Sequence, residues 1–115
     1  MFEFQKLEVY KKAKAFHTDA TELITTIKPN KTVKDQLSRA SFSIVLNIAE
    51  GSGRFSKPDR RNFFVIARGS VFECVAILDV LHDLKSIDEP NFHSFLKKAD
   101  ELSRILFAMV KNLGN

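Results

Sequence analysis

The chain has 115 residues, of which 44% are hydrophobic and 28% are charged, with four glycines and three prolines. This composition is typical of one folded domain and excludes a disordered chain. The formal net charge of +4 is compatible with a polyanionic partner, although such a value is also ordinary for a small domain.

The cysteine content and the N-terminal segment bear on cellular location. Cys74 has no second cysteine to pair with, which indicates a reducing compartment. The N-terminal residues are charged from the third position and contain no apolar run, so we expect no signal peptide. The charge-free segment 40–49 is about half as long as a membrane span. We therefore expect a cytoplasmic protein with no membrane partner.

Two helices are predicted in the first half of the chain. In helix 1, apolar residues recur every three or four positions until Pro29-Asn30 ends the run. This stripe comprises Leu7, Tyr10, Ala13, Phe16, Ala20, Leu23 and Ile27. Helix 2 is predicted to start at a capping-box pattern, Thr32 to Asp35, and to end at Gly51 in a left-handed conformation. Its stripe comprises Val33, Leu37, Ala40, Ile44 and Ile48.

Two further helices are predicted in the second half. Helix 3 spans roughly 58–86, with Ser56 as its cap and Pro58 in its first turn. Its predicted core stripe is Phe63, Ala67, Ser70, Cys74, Ile77, Leu81 and Leu84. Helix 4 opens at Asp88, and Gly114 lies beyond its end. Its stripe is Phe92, Phe95, Ala99, Leu102, Leu106, Met109 and Leu113.

The four helices predict the fold class. No segment alternates apolar and polar residues with a period of two, so strands are not expected. Four helices joined by short connections favour an all-α, antiparallel up-down four-helix bundle. Residues 1–115 are predicted to form this single domain.

Helices 2 and 3 are apolar on their outer sides as well as on their core sides. The outer residues are Phe42, Val45 and Leu46 on helix 2, and Val65, Gly69, Phe72, Ala76 and Val80 on helix 3. Single exposed apolar residues are normal, whereas contiguous apolar stripes mark interfaces. We therefore expect a homo-oligomer in which these residues form the contact between subunits.

A narrow polar ribbon lies between the outer apolar residues. We assign Arg39, Asn47, Glu50 and Glu73 to this ribbon, in which opposite charges can pair between helices or between subunits. Such groups set the register of an interface. A structural role is favoured over catalysis, because the ribbon has no nucleophile with a partnering base.

The segment between helices 2 and 3 is the best functional candidate. It places Arg54, Lys57, Arg60 and Arg61 within eight positions, and Arg68 follows on the same helical side. Arginines at a helix start oppose the helix dipole, so another interaction is expected to favour them there. They are suited to phosphate contacts, and Phe55 is suited to stacking on an unpaired base. The alternative is that the cations pair with acids of a neighbouring subunit while Phe55 packs over the bundle end.

Four segments carry a resemblance to a known family: 7–13 (LEVYKKA), 36–44 (QLSRASFSI), 47–54 (NIAEGSGR) and 66–70 (IARGS). With Phe63 and Glu73, they closely resemble the 23S rRNA-intervening-sequence proteins. The resemblance implies a bacterial four-helix bundle that assembles into a homopentameric, barrel-like ring. Some members are encoded within large-subunit rRNA genes, and a related accessory protein of diversity-generating retroelements binds nucleic acids. Val45 stands where members often carry proline, so helix 2 is expected to run unkinked.

Enzymatic functions have little support in the sequence. His17, His82 and His93 fall on three different helices without the spacing of a metal site, and no cofactor motif is present. Cys74 occupies a core position, where a thiol is usually inert packing. Gly51-Ser-Gly53 lacks the preceding strand and the Gly-Lys ending of a phosphate-binding loop. We expect a protein that is not an enzyme and uses neither metal nor cofactor.

The sequence therefore favours a ring-forming bundle that binds nucleic acid through the basic segment, with RNA as the preferred partner and DNA as the other form that these residues leave open. The alternative is a structural or adaptor oligomer that recruits another protein and binds no nucleic acid. Neutralising the basic residues would distinguish the two, since it would abolish only the first activity.

Overall fold

The computed structural model describes residues 2–28 and 31–114. They form a 3₁₀ turn, Glu3–Lys6, followed by helices α1 Glu8–Thr26, α2 Lys31–Ser52, α3 Lys57–Asp83 and α4 Glu89–Leu113. No strand occurs in these ranges. Consecutive helices pack side by side and α1 also contacts α4, which confirms the four-helix bundle. The predicted end of helix 1 at Pro29-Asn30 lies outside the described residues.

The core lies along the bundle axis and is built from the predicted apolar stripes of α1, α2 and α4. Phe16, Leu37, Ile44, Leu102 and Leu106 are all buried, at 1% exposure or less. α2 runs without a break through Val45, as expected for a helix without proline there. The periodicity of these helices was sufficient to identify their buried faces because each has one dominant apolar side.

Two predicted caps are confirmed and one is wrong. The Ser56 hydroxyl accepts a hydrogen bond from the Asp59 backbone N–H at 3.2 Å, and the Asp88 carboxylate accepts one from the Asn91 N–H at 2.8 Å. Both helices carry a proline in the first turn. Thr32 does not cap α2, because this helix already begins at Lys31.

The predicted core stripe of helix 3 is partly wrong. Ala67, Cys74 and Leu81 are buried as expected, but Phe64 and not Phe63 enters the core. Val71 and Leu78 accompany these residues in the core. Ala67, Cys74 and Leu81 belong to two possible heptad stripes, one that continues through Phe63 and one that continues through Phe64. The sequence pattern fits both stripes, and only packing against the other helices decides which one is buried.

The end of α3 also differs from prediction. The helix stops at Asp83, and Lys85 takes a left-handed conformation with φ 57° while the Ser86 N–H donates to the Leu81 carbonyl at 2.9 Å. This 6→1 hydrogen bond is the usual closure of a helix C-terminus. Leu84 therefore lies outside the helix and is exposed, contrary to its predicted core position.

Gly51 is required for the close approach of α2 and α3. It was predicted to end helix 2 in a left-handed conformation, but it lies inside α2, is buried and has no positive φ. A Cβ atom placed on Gly51 would lie 2.8 Å from Phe64 Cε1 and 2.9 Å from Phe63 Cβ. Glycine is therefore needed at position 51 because it has no side chain, and not because its backbone can adopt a left-handed conformation.

Substitution Gly51→Ala is expected to destabilise the fold by about 1–3 kcal/mol, the usual cost of overpacking a core. The Phe64 ring cannot retreat because it is itself buried. The matched control is Gly53→Ala, whose Cβ would meet nothing closer than the Glu50 carbonyl at 3.7 Å. Urea unfolding of both variants tests the prediction, and equal midpoints would contradict it.

Candidate nucleic-acid interface

The connection between α2 and α3 projects an unpartnered aromatic ring from the end of the bundle. Phe55 is fully exposed, at 104% of the reference area for its residue type. Its neighbour Ser56 is held as the cap of α3, so the ring is presented from an anchored turn. Phe55 and Arg54 border a shallow cavity of about 450 Å³. The alternative interpretation required Phe55 to pack over the end of the bundle, and in the structure it does not.

Arg54 is fixed by two contacts within its own segment. Its Nη2 donates to the Glu50 carboxylate at 2.8 Å, and its guanidinium lies 4.6 Å from the centre of the Phe63 ring. Glu50 thus pairs along the chain and not across helices, and the pair remains exposed to solvent. Arg54 keeps free guanidinium donors for a further anion, since one nitrogen satisfies Glu50.

Lys57, Arg60 and Arg61 lie on the first turns of α3 beside Phe55. Among the described residues, none of the three forms an ion pair or a side-chain hydrogen bond. Arg61 lies against the end of α4, where a Cβ on Gly114 would be 3.3 Å from its Nε. Proximity to the negative end of the α4 dipole offsets the unfavourable position of Arg61 at the start of α3.

Arg68 is placed in a different environment from the other predicted phosphate contacts. Its Nε donates to the Ser103 carbonyl at 3.2 Å, and its guanidinium lies 4.8 Å and 5.3 Å from the ring centres of Phe72 and Phe107. Because it is engaged between α3 and α4, we leave Arg68 out of the cationic cluster. The basic cluster is hereafter Arg54, Lys57, Arg60 and Arg61.

The outer apolar residues form two separate patches. Phe42 and Leu46 lie on the side of α2 that faces α1, where Phe42 stacks on His17 at 5.1 Å. We call them the α1–α2 patch. The α3–α4 patch borders a cavity of about 470 Å³ and comprises Val65, Gly69, Phe72, Phe107 and Val110. The two patches therefore lie on opposite flanks of the bundle.

One predicted interface residue is wrong. Val45 is 6% exposed and belongs to the core of its own subunit. Ala76 and Val80 are exposed on the outer side of α3, in line with the α3–α4 patch. For the exposed residues, the contact between subunits stays a prediction.

The polar ribbon contributes one connected hydrogen-bond chain between α2 and α3. Asn47 Nδ2 donates to Ser43 Oγ at 3.0 Å, the two serine hydroxyls Ser43 and Ser70 are 2.8 Å apart, and Ser70 donates to the Ile66 carbonyl at 3.1 Å. A chain of this kind strengthens each of its members. Arg39 and Glu73 are exposed and form no ion pair within the described residues. Of the four predicted ribbon residues, only Asn47 belongs to this chain, through Ser43 of its own helix, and the bond between α2 and α3 is made by Ser43 and Ser70.

The structure brings together two histidines that the sequence had left apart. His82 Nε2 and His93 Nε2 lie 2.5 Å and 3.2 Å from the two oxygens of the Glu89 carboxylate, at the corner between α3 and α4. The hydrogen bond from His82 lowers the pKa of Glu89. Only the i, i+4 spacing of Glu89 and His93 was visible in the sequence. Across the described residues, no group of three His, Cys, Asp or Glu side chains is arranged to hold a metal ion.

Cys74 is completely buried, and burial raises the pKa of its thiol to about 12, with Glu73 adding to the rise. A thiol with such a pKa is almost entirely protonated at neutral pH and is a poor nucleophile.

In the described part of the chain, no helix is long and apolar enough to cross a membrane.

His17 is expected to make stability fall as the pH is lowered from 7 to about 5.5. Burial lowers the pKa of His17 below its ordinary value of 6.5, so the unfolded chain binds a proton in this window before the folded protein does. The difference stops growing once the pH is below the folded pKa. Thermal midpoints of the wild type and His17→Gln, measured across this window, test the prediction. An equally steep decline in the variant would contradict it.

The comparison with protein families decides what kind of bundle this is. The family model described as 23S rRNA-intervening sequence protein matches residues 5–108. The chain belongs to this family. The match covers α1, α2, α3 and most of α4, together with the basic cluster and every residue of the two apolar patches except Val110. This family is the one that the four sequence segments predicted.

Solved structures share the fold. One of them is a protein with unknown function from the S23 ribosomal protein family of Bacteroides thetaiotaomicron, with a TM-score of 0.84 and 22% sequence identity. The alignment covers 90% of this chain and 98% of that chain. No curated protein matches this member of the family.

Proposed function

We propose that this protein is a homo-oligomeric, non-enzymatic bundle that binds single-stranded nucleic acid, RNA by preference, through the basic cluster and Phe55. The observation that carries the proposal is the fully exposed Phe55 ring, which lies next to Arg54 in the turn and beside the three cations on the first turns of α3. A phenyl ring surrounded by water has no role in the stability of its own subunit. Bases stack on such rings, while the neighbouring cations hold the phosphates.

The charge around the turn supports a polyanion as the partner. Within the described residues, Arg54 alone of the four cations is paired, and the carboxylates close by are Glu3, Glu50 and Asp59. Lys57 and Arg61 are exposed and have no acidic partner among the described residues. Unpaired cations beside a helix start leave a positive surface that attracts phosphate groups over several ångströms.

The arrangement of the apolar patches supports assembly into a ring. Because the two patches differ and lie on opposite flanks, one subunit can place its α3–α4 patch on the α1–α2 patch of the next. Contacts of this head-to-tail kind close into rings when the rotation permits. We propose a pentamer, following the resemblance to ring-forming members of the family, in which the basic cluster recurs around one end of the ring.

The second candidate is an adaptor that recruits another protein. It is favoured by the α3–α4 patch, whose cavity is lined mainly by apolar side chains, as recognition grooves for amphipathic helices are. In this case the patch stays open in the assembled protein and the basic cluster binds nothing.

Purification of the native complex tests the two candidates together. We expect a mass of several subunits with bound nucleic acid that ribonuclease removes. A monomer without nucleic acid would overturn the proposal. An oligomer that carries a second protein and no nucleic acid would support the adaptor instead.

A further inference from the structure

A second cavity lies beside the basic cluster, on the side of the N-terminal turn. Its volume is about 420 Å³, within the range of small-molecule sites. The cavity is open to solvent and is lined by the 3₁₀ turn, by the end of α2 and by one side chain from α3. Its lining residues are Phe2, Glu3, Phe4, Lys6, Leu7, Ser52, Gly53 and Arg60.

Arg60 has no partner in this cavity. Its Nε is buried and makes no hydrogen bond, and no ion pair or hydrogen bond to the rest of its side chain occurs among the described residues. Buried polar atoms are nearly always hydrogen-bonded in folded proteins, and charged donors most of all. The two terminal nitrogens of the guanidinium have no partner among the described residues either, but they are not buried, so they can meet an anion in the cavity that Arg60 lines.

The other polar groups around the cavity are already satisfied. The Ser52 hydroxyl donates to the Ile48 carbonyl at 2.8 Å, and the Gly53 N–H donates to the Glu50 carbonyl at 3.1 Å. Lys6 pairs with Glu3 at 3.5 Å, with both side chains largely in water. Lys6 offsets part of the charge of Glu3, and Arg60 is the lining cation that has no acidic partner among the described residues.

The rest of the lining suits an aromatic group. Phe2 is 72% exposed and stacks on Phe4, with ring centres 6.0 Å apart and planes inclined by 20°. Phe4 is in turn held edge-on by Tyr10 at 4.9 Å. The outer face of Phe2 is therefore an anchored platform that remains free to stack on a nucleobase.

We propose that this cavity binds the phosphorylated terminal nucleotide of a single strand, with the phosphate on Arg60 and the base on Phe2. The inference rests on the proposed nucleic-acid binding and adds a preference for strand ends. A terminal phosphate monoester is flanked by one sugar only and carries more charge than a backbone phosphodiester. It can therefore enter the cavity to meet Arg60, while the strand continues over the basic cluster.

The test compares one short RNA sequence carrying a 5′-phosphate, a 3′-phosphate or hydroxyl groups at both ends. We expect one of the two phosphorylated forms to bind about tenfold more tightly than the hydroxyl form, as a charge-assisted bidentate contact implies. The phosphorylated RNA that binds more tightly, with its phosphate at the 5′ or at the 3′ end, identifies the strand end that the cavity binds. Equal affinity of all three forms would overturn the inference.

Arg60→Met is expected to abolish the preference for the phosphorylated end and to weaken the binding of hydroxyl-ended RNA only as far as the loss of one cation from the basic cluster does. Arg104→Met is the matched control, because the substitution makes the same change in charge. Arg104 is exposed on α4, and its acidic partner among the described residues is Asp100. Without RNA, Arg60→Met should keep or raise the thermal midpoint, since it removes a buried unpaired donor. A preference that survives Arg60→Met, or that Arg104→Met also removes, would overturn the inference.

The outcomes also separate this inference from the proposed function. Salt-dependent binding that ignores the terminal phosphate would reject the cavity and leave the basic cluster as the RNA site. Absence of RNA binding in every form would reject both. If the Arg60→Met variant does not fold, Arg60→Lys replaces it in the test. Lysine keeps the charge but cannot make the bidentate contact with the phosphate, so the preference for the phosphorylated end should still be reduced.

Discussion

Phe72→Lys is expected to convert the assembled protein into monomers. Phe72 is 56% exposed at the centre of the α3–α4 patch, and its burial against a neighbouring subunit would contribute about 1–2 kcal/mol. A lysine there would also have to lose its hydration, at a cost of several kcal/mol. The sum lowers the affinity of each contact by more than about a hundredfold. Light scattering of the purified variant at micromolar concentration measures the result.

Leu84→Lys is the matched control for this prediction. Leu84 is also an exposed apolar residue, at 61%, but it follows the end of α3 and lies outside both patches. It should leave the assembly intact. A wild-type protein that is already monomeric, or a Phe72→Lys variant of unchanged mass, would contradict the proposed interface.

Gly69 offers an independent test of the same interface. A Cβ on Gly69 would have nothing within 4 Å, so alanine fits the subunit and should stabilise it by up to about 1 kcal/mol through helix propensity. A glycine in mid-helix has no use within the subunit and permits a second backbone to come close. Gly69→Ala should therefore raise monomer stability and weaken assembly at the same time.

Neutralising the basic cluster is the second prediction with a large expected effect. If all four cations contact phosphates, the wild-type affinity for single-stranded RNA should fall with salt at a log–log slope of about −2.8. This slope corresponds to a loss of roughly fiftyfold between 50 and 200 mM salt. The variant with Arg54, Lys57, Arg60 and Arg61 changed to Gln should lose this dependence together with most of the affinity.

Four exposed lysines outside the cluster provide the control with equal charge change: Lys11, Lys28, Lys97 and Lys111. Their replacement by Gln should change the affinity much less. A flat salt response of the wild type, or equal losses in the two quadruple variants, would contradict the proposed site.

Phe55→Ala separates stacking from charge. It is expected to weaken RNA binding by about 1–3 kcal/mol with no change in salt slope, because the ring contacts bases and not phosphates. Since Phe55 touches nothing in its own subunit, the unfolding midpoint of the variant should equal that of the wild type. Unchanged RNA affinity would remove Phe55 from the site.

The helices, their caps at Ser56 and Asp88, and the family were predictable from the sequence. Caps and periodic stripes depend on residues that are close along the chain, and such local patterns survive any tertiary arrangement. The exposed Phe72 and Val80 were predictable for the same reason, because they lie on the side of α3 opposite the buried Ala67 and Cys74.

The errors share a different cause. The choice of Phe64 over Phe63 and the inward position of Val45 depend on how each helix is rotated about its axis. A rotation of a few tens of degrees exchanges neighbouring stripes without changing the periodicity. The contacts of Arg68 with Ser103 and Phe107 could not be predicted either, because these residues belong to another helix.

By itself, the sequence determined that this protein is a bundle of four capped helices with a basic turn and an apolar outer face on α3. Only the tertiary structure decided that Gly51 is a contact point between helices, that the apolar residues divide into two patches on opposite flanks, and that Arg60 reaches a cavity without a partner. Periodicity and capping are properties of one segment at a time. Close contacts, separate flanks and unpaired buried atoms arise only when segments distant in the chain meet.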